Sequence, residues 1–370
     1  MNTDLYKTIG CCVLCLFCIL CDTRLPKGNS VITDFAGRRV AIPEEIKGVV
    51  ALSASLRYVV YLQAFDKVVG VEELEKRNSM RTINADGRMY WTAIADRVGA
   101  IPGIGEGGPG RLPDFERLME VNPDIVFTFE ANNAEIIQRK TGIPCIVISG
   151  ATGMDGFSID DIKKTFLFMG NILGKQVRAL QLCTYIDTCI ADLQQRVHNT
   201  KKVSVYVGGV SARGAHGITS TESFYPPLQW LNVLNVADEL GKKGHLFIDM
   251  EKLIVWNCDN LFIDAAGLAL IEIDYKKNSG FYKKLKAVVK NNVYTVYPYN
   301  FYRTNIEVMI ANSYFIGKTL YPERFNDIDT EEKARVIVKE FVGMDVYDNL
   351  KKSYKGYGKV KFTNAGLTVH

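Results

Sequence analysis

Residues 49–148 alternate short apolar runs with amphipathic stretches. The pattern predicts strands at Val49–Leu52, Val68–Val71, Ile125–Phe129 and Cys145–Ile148, separated by helices at Ser55–Ala64, Pro113–Glu120 and Asn133–Thr141. Such alternation implies a mostly parallel sheet with helices on both faces. Ahead of it, Val31–Pro43 reads as two short strands around an Ala-Gly turn. From Ile159 to about His198 the apolar spacing becomes helical, with Gly174 the one break. The part from Lys175 to His198 would be a helix of about 36 Å, long enough to cross from one lobe to another. The alternation then returns, with strands at Val203–Val207, Asn260–Asp264 and Val293–Val296. Between and after them come helices at Pro227–Leu231, Met250–Val255, Phe281–Leu285, Asn305–Leu320 and Thr330–Phe341. The expected organisation is a leader over 1–21, an N-terminal α/β lobe over 31–158, linking helices over 159–199, a C-terminal α/β lobe over 200–328, a C-terminal helix over 329–350 and a frayed polar tail over 351–370.

Two segments, Asp114–Phe127 and Asp249–Phe262, repeat each other: six of their fourteen positions are identical, where chance gives about one. Each reads as a short helix feeding a strand, so the two lobes look related. Each copy also puts one acid, Glu116 or Glu251, on a helix face pointing away from the apolar stripe. A matched acid on each lobe suits a docking pair; ordinary solvated helix charge is the other reading.

The first residues hold Lys7 and then the apolar run Ile9–Leu20, too short for a stable membrane span. This pattern reads as an export signal, which places the mature chain in the periplasm or on the outer face of the cytoplasmic membrane. Cys21 ends the run and is the candidate lipidation site. It lacks the leucine three places earlier and the small residue immediately before it that such sites prefer, so a non-lipidated signal and an uncleaved anchor stay open. Beyond the leader only Cys145, Cys183, Cys189 and Cys258 remain, too few for a disulfide framework. The formal net charge of +4 is too small to argue for nucleic acid. No G-x-S-x-G, H-E-x-x-H or paired Cys/His set is present, so the chain does not read as an enzyme, and neither cofactor nor resident metal is expected.

The element order, together with Val68-Val-Gly-Val71, Leu118 through Asn122-Pro-Asp124, Asn235-Val-Ala-Asp-Glu239, Phe281 through Val288, Val293-Tyr294 and Leu320-Tyr-Pro-Glu323, resembles the periplasmic binding proteins of ABC importers for iron complexes, haem, cobalamin and some oxyanions. The resemblance runs from about Val31 to Tyr347. It implies two Rossmann-like α/β lobes joined by one long backbone helix, a ligand cleft between them and little hinge closure. It also implies that an acid on each lobe, here Glu116 and Glu251, meets arginines of the membrane permease.

Four loops are expected to open on that cleft, at the carboxyl ends of strands. In Ser53–Tyr58, Ser55 and Arg57 suit an anion, while Ser53 and Ser55 equally suit simple helix capping. In Asp86–Thr92, Arg88 beside Tyr90 and Trp91 suits a flat or anionic ligand, and packing of the aromatics onto the lobe is the rival. In Gly208–Tyr225, Ser211, Arg213 and His216 suit an anion or a metal chelate, although one histidine makes a poor metal site. His198 and His245 read as surface residues. In Tyr297–Asn305, Tyr302 could ligate ferric iron or stack on a chelate, and Arg303 and Asn305 suit an oxyanion, with packing at the lobe boundary the equal rival. The resulting expectation is a monomeric substrate-binding component of an ABC importer, working with a permease and its ATPase. Its first-ranked cargo is a siderophore-type iron chelate, followed by an oxyanion such as molybdate or tungstate, then haem or a corrinoid. A receptor or adhesion module on the same fold is the alternative from a different class.

Overall fold

The computed structural model describes residues 29–370 apart from 77–78, 81–82, 85–86, 151 and 154–155; the expected leader and Cys21 lie outside the described residues. The first lobe is built on a four-stranded parallel sheet in the order Val68–Gly70, Val49–Ala51, Ile125–Thr128, Cys145–Val147. Side chains alternate across its faces. Val49, Ala51, Ile125 and Phe127 join one core, while Val50, Leu52, Val126 and Leu118 join another on the opposite side. Both faces are therefore covered, as an uninterrupted apolar run requires.

Helix Ile159–Leu173 ends at Gly174, whose φ of 68° lies in the left-handed region. Helix Gln176–Arg196 follows and spans about 31 Å. The two helices cross so closely at Gly170 that a Cβ there would lie 2.5 Å from the Ala179 Cβ.

The second lobe carries a six-stranded sheet in the order Val233–Asn235, Val203–Gly208, Asn260–Asp264, Val293–Val296, Gly358–Thr363, Gly366–Val369. The first four strands are parallel and the last two antiparallel. The chain beyond Lys351, expected as a frayed polar tail, is thus a correction. After helix Tyr347–Tyr354 it forms a hairpin on the sheet edge, with Val360 buried and Phe362, Leu367 and Val369 packed on the lobe-two core. Lys359 and Lys361 alternate with these apolar residues. Lobe two also holds helix Leu268–Tyr282 and an antiparallel pair, Ser220–Ser223 with Gly244–Phe247, beyond the expected elements.

The repeated segments occupy equivalent places. Helix Phe115–Glu120 and helix Met250–Trp256 are followed by Asn122 (φ 46°) and Asn257 (φ 44°), and each then delivers a strand to its own sheet. Asp114 caps the first helix by accepting from the N–H groups of Glu116 and Arg117; Asp249 makes no such bond.

One hydrophobic core runs through both lobes, joining Tyr61 and Phe166 to Ile186, Val207, Tyr297 and Phe341. Polar ties follow the same path. Arg178 on the long helix pairs with Glu340 at 2.9 Å and donates to the Tyr61 carbonyl, and Arg196 pairs with Asp192 and Asp327.

Candidate cleft between the lobes

Strand Val49–Ala51 leads into Leu52 and then into Ser53 and Ala54, both with left-handed backbone (φ 52° and 66°). The Ser53 N–H donates to Glu72 at 3.0 Å and its hydroxyl to the Gly108 carbonyl. Ser55 is fully buried and donates to the Phe127 carbonyl at 3.3 Å; it makes no cap bond to the six-residue helix that follows. The chain turns here because strand Ile125–Thr128 and the Glu72 carboxylate hold it from two sides.

Arg57 is 1% exposed. Its Nη2 donates to the carbonyls of Phe301 (3.2 Å) and Tyr302 (2.8 Å) and to Asn305 Oδ1 (3.1 Å), so a lobe-one guanidinium grips the loop leaving strand Val293–Val296 of lobe two. Asn305 in turn donates to the carbonyls of Tyr299 and Phe301. Arg88 pairs with Glu75 at 2.8 Å, both out of contact with water, and Glu75 also accepts from the Tyr90 hydroxyl at 2.8 Å. The Trp91 indole donates to the Glu75 carbonyl, and the Arg88 guanidinium lies over the rings of Trp91 and Tyr302. The expected ligand-facing residues Arg57, Arg88, Tyr90, Trp91 and Asn305 therefore meet one another beneath the cleft surface, and Ser55 is buried apart from them against the Phe127 carbonyl.

Tyr302 and Arg303 (φ 48° and 66°) reach the surface. The Tyr302 hydroxyl donates to Glu72 at 3.3 Å. Burial beside Glu75 pushes the Glu72 carboxyl up to about 8, so it is mostly protonated at neutral pH. Arg303 is a quarter exposed; it lies 4.1 Å over the Phe129 ring and pairs with Glu130 at 3.2 Å. Burial lowers its pKa from the ordinary arginine value, and the attraction of Glu130 does not fully restore it. Loops at the carboxyl ends of lobe-one strands thus meet the loop from the carboxyl end of a lobe-two strand.

Ser211, Arg213 and His216 form a separate group on lobe two. Ser211 is buried, its N–H donating to Asp264, while Arg213 is exposed with φ 57°. His216 is half-buried and its Nε2 bonds the Ala212 carbonyl at 2.8 Å. His245, expected at the surface, is also half-buried, with its ring centre 5.9 Å from that of His216. Below them burial raises Glu222 and Asp264 each to about 7, and Tyr299 donates its hydroxyl to Glu222.

Sequence reasoning passed over Glu72, Glu75, Phe129 and Glu130, and read His245 as a surface residue. Glu72 and Glu130 directly follow expected strands and Phe129 ends one, which was the available signal; Glu75 lies four residues past Val71, and the acids carry the pattern of ordinary surface charge.

The family described as periplasmic binding protein matches residues 49–299. The chain belongs to the periplasmic binding protein family. Relatives of this binding protein are solute-binding components of ABC importers rather than enzymes. It is 21% identical over 341 residues to the molybdate-binding protein MolA of Haemophilus influenzae, covering 85% of this chain and 91% of that protein. The structure of MolA bound to molybdate aligns with a TM-score of 0.65 at 19% identity, over 85% of this chain and 98% of that one. FepB from Veillonella parvula, a TroA-like periplasmic binding protein, aligns at 0.62 and 20% identity over 84% and 95% of the two chains. CeuE of Helicobacter pylori with Ni(II) bound aligns at 0.62 and 16% over 88% and 99%. These likenesses establish the two-lobed fold.

In this binding protein Glu116 and Glu251 are both exposed, each in the first turn of its repeated helix. Among the described residues no helix is long and apolar enough to cross a membrane, and no cluster of three or more His, Cys, Asp or Glu is placed to hold a metal ion.

Proposed function

We propose that this binding protein captures an anionic metal complex in the cleft at Arg303, with a siderophore-type iron chelate as the first candidate, and catalyses nothing. The observation that carries this reading is the under-compensated positive charge at the lobe junction. Arg303 stands partly exposed near the buried Arg57; Arg303 is paired with Glu130, whereas Arg57 donates to two carbonyls and an amide oxygen, and burial raises the carboxyl of Glu307 beside it. Strain supports the same place. Ser53, Ala54, Tyr302 and Arg303 are non-glycine residues held in the left-handed region, at a cost that persists where the surrounding structure over-determines it. The buried Arg57 and Arg88 networks then act as bracing that fixes Tyr302 and Arg303. A molybdate- or tungstate-type oxyanion is the second reading, favoured by the likeness to MolA across nearly its whole length.

The test is a thermal-shift and calorimetric screen of ferric chelates, molybdate and tungstate against the wild-type protein and Arg303→Gln. A ligand at a hundredfold excess over Kd stabilises the fold by about 2.7 kcal/mol. The expected result is one strong ligand whose affinity falls at least tenfold in Arg303→Gln while the unliganded melting temperature holds. Equal affinity in the two proteins would refute the anion site. We place the mature protein outside the cytoplasm, with Cys21 as its candidate lipid anchor and Glu116 and Glu251 as its contacts with the permease.

A further inference from the structure

The hydrogen bonds around His216 and His245 place a hydrogen on the Nε2 of both imidazoles. The Nε2 of His216 lies 2.8 Å from the Ala212 carbonyl, which can only accept, so that nitrogen carries the hydrogen. The Ser220 hydroxyl donates to the Val210 carbonyl at 2.6 Å and has no second hydrogen. It therefore accepts from His245 Nε2, 2.7 Å away, and that nitrogen also carries its hydrogen. In its neutral form each ring then offers an unprotonated Nδ1 lone pair, oriented from behind by an oxygen acceptor. This is the arrangement that positions metal-ligating histidines, whose other ring nitrogen donates to a carbonyl or another oxygen.

The spacing agrees. A metal–imidazole bond of about 2.0–2.1 Å, plus about 1.1 Å from nitrogen to ring centre, sets an upper limit of about 6.4 Å between the centres of two rings that share one ion, reached when the two bonds are opposite. Here the centres are 5.9 Å apart with planes tilted by 35°. Both rings stand edge-to-face on Phe247, at 5.0 and 4.9 Å, which holds them side by side. His216 lies on the loop leaving the carboxyl end of strand Val203–Gly208, and both histidines keep access to solvent.

We propose that His216 and His245 ligate one borderline divalent transition-metal ion through their Nδ1 atoms. Imidazole suits copper, nickel and zinc, whereas calcium and magnesium take oxygen ligands. Two protein ligands leave at least two positions, filled by water or by a small chelator that arrives with the metal. The site is thus an acceptor for a partly chelated ion, not a resident structural centre. This rests on the reading of the protein as a binder of metal complexes, and places a metal site on lobe two, apart from the anion site at Arg303.

The test uses Cu2+ as probe on the full chain with accessible thiols blocked, so that the cysteines of residues 1–21 do not compete. Titration should give one site, with nitrogen hyperfine structure from two imidazoles in the electron paramagnetic resonance spectrum. His216→Gln and His245→Gln should each weaken binding at least tenfold and leave one imidazole signal at most, with melting temperatures confirming that both variants fold. No binding by the wild type, unchanged binding in the double variant, or dependence on one histidine alone would overturn the proposal. Arg303→Gln separates this site from the anion site: it should leave Cu2+ affinity unchanged while weakening anions, so either site can fail without the other.

Discussion

Replacing Arg57 by methionine keeps most of the buried stem and removes the head that ties the lobes. Three acceptors lose their N–H partner: the carbonyls of Phe301 and Tyr302 and the side-chain oxygen of Asn305. A buried acceptor left without a partner costs about 1–3 kcal/mol. Phe301 and Tyr302 are half-buried, so water can reach their carbonyls and their share falls at the low end. Asn305 is fully buried but keeps both bonds from its amide nitrogen. Against these losses stands the relief of a buried guanidinium whose Nε finds no hydrogen-bond partner among the described residues. The balance is a destabilisation of about 2–4 kcal/mol. Urea unfolding measures it as a lower midpoint at unchanged slope, and the continuous core through both lobes favours one transition. Amide hydrogen exchange supplies the local readout, with faster exchange expected at residues 299–305 than on the long helix. A loss below about 1 kcal/mol with unchanged exchange at 299–305 would refute the bracing role.

Stability should fall as pH rises from 6 to 9. Glu72 is raised to about 8, and Glu222 and Asp264 to about 7, above their unfolded values. Their contribution is complete below about pH 4 and lost as pH climbs through 7 and 8. His245 opposes the trend below about 6.5, since its own pKa is lowered by burial and by His216. A melting temperature that is flat or rising between pH 6 and 9 would contradict the burial argument. Glu116→Ala with Glu251→Ala should abolish cargo uptake by cells while leaving Kd unchanged, because exposed charges register an encounter without touching the cleft; unchanged uptake would remove them from the docking surface.

Much of the frame was legible because it follows from periodicity. The two sheets came from apolar runs, and Gly174 marked the break between the linking helices through the conformation it actually adopts. Helix Leu268–Tyr282 was hidden because Asn278-Ser-Gly280 reads as a breaker; the helix runs on past a local departure at Asn278. The hairpin beyond Lys351 was readable in its Val360/Phe362 alternation, but its lysines and glycines suggested solvent. The cleft loops were located by strand ends alone, whereas the inward turn of their side chains depends on partners far along the chain. Arg57 meets a loop some 245 residues away, and Arg88 meets an acid 13 residues earlier. No local pattern distinguishes an arginine that faces ligand from one that clamps a backbone.

The C-terminal hairpin bears on how this protein keeps to itself. Gly358–Thr363 covers the side of Val293–Val296 that would otherwise present unpaired N–H and C=O groups along an apolar strand. At the opposite end of the sheet, strand Val233–Asn235 is only three residues long and offers little template to another chain. A cut after Tyr354 would uncover the edge of Val293–Val296, a strand whose valines are buried, so residues 355–370 cover an apolar edge on which another chain could pair.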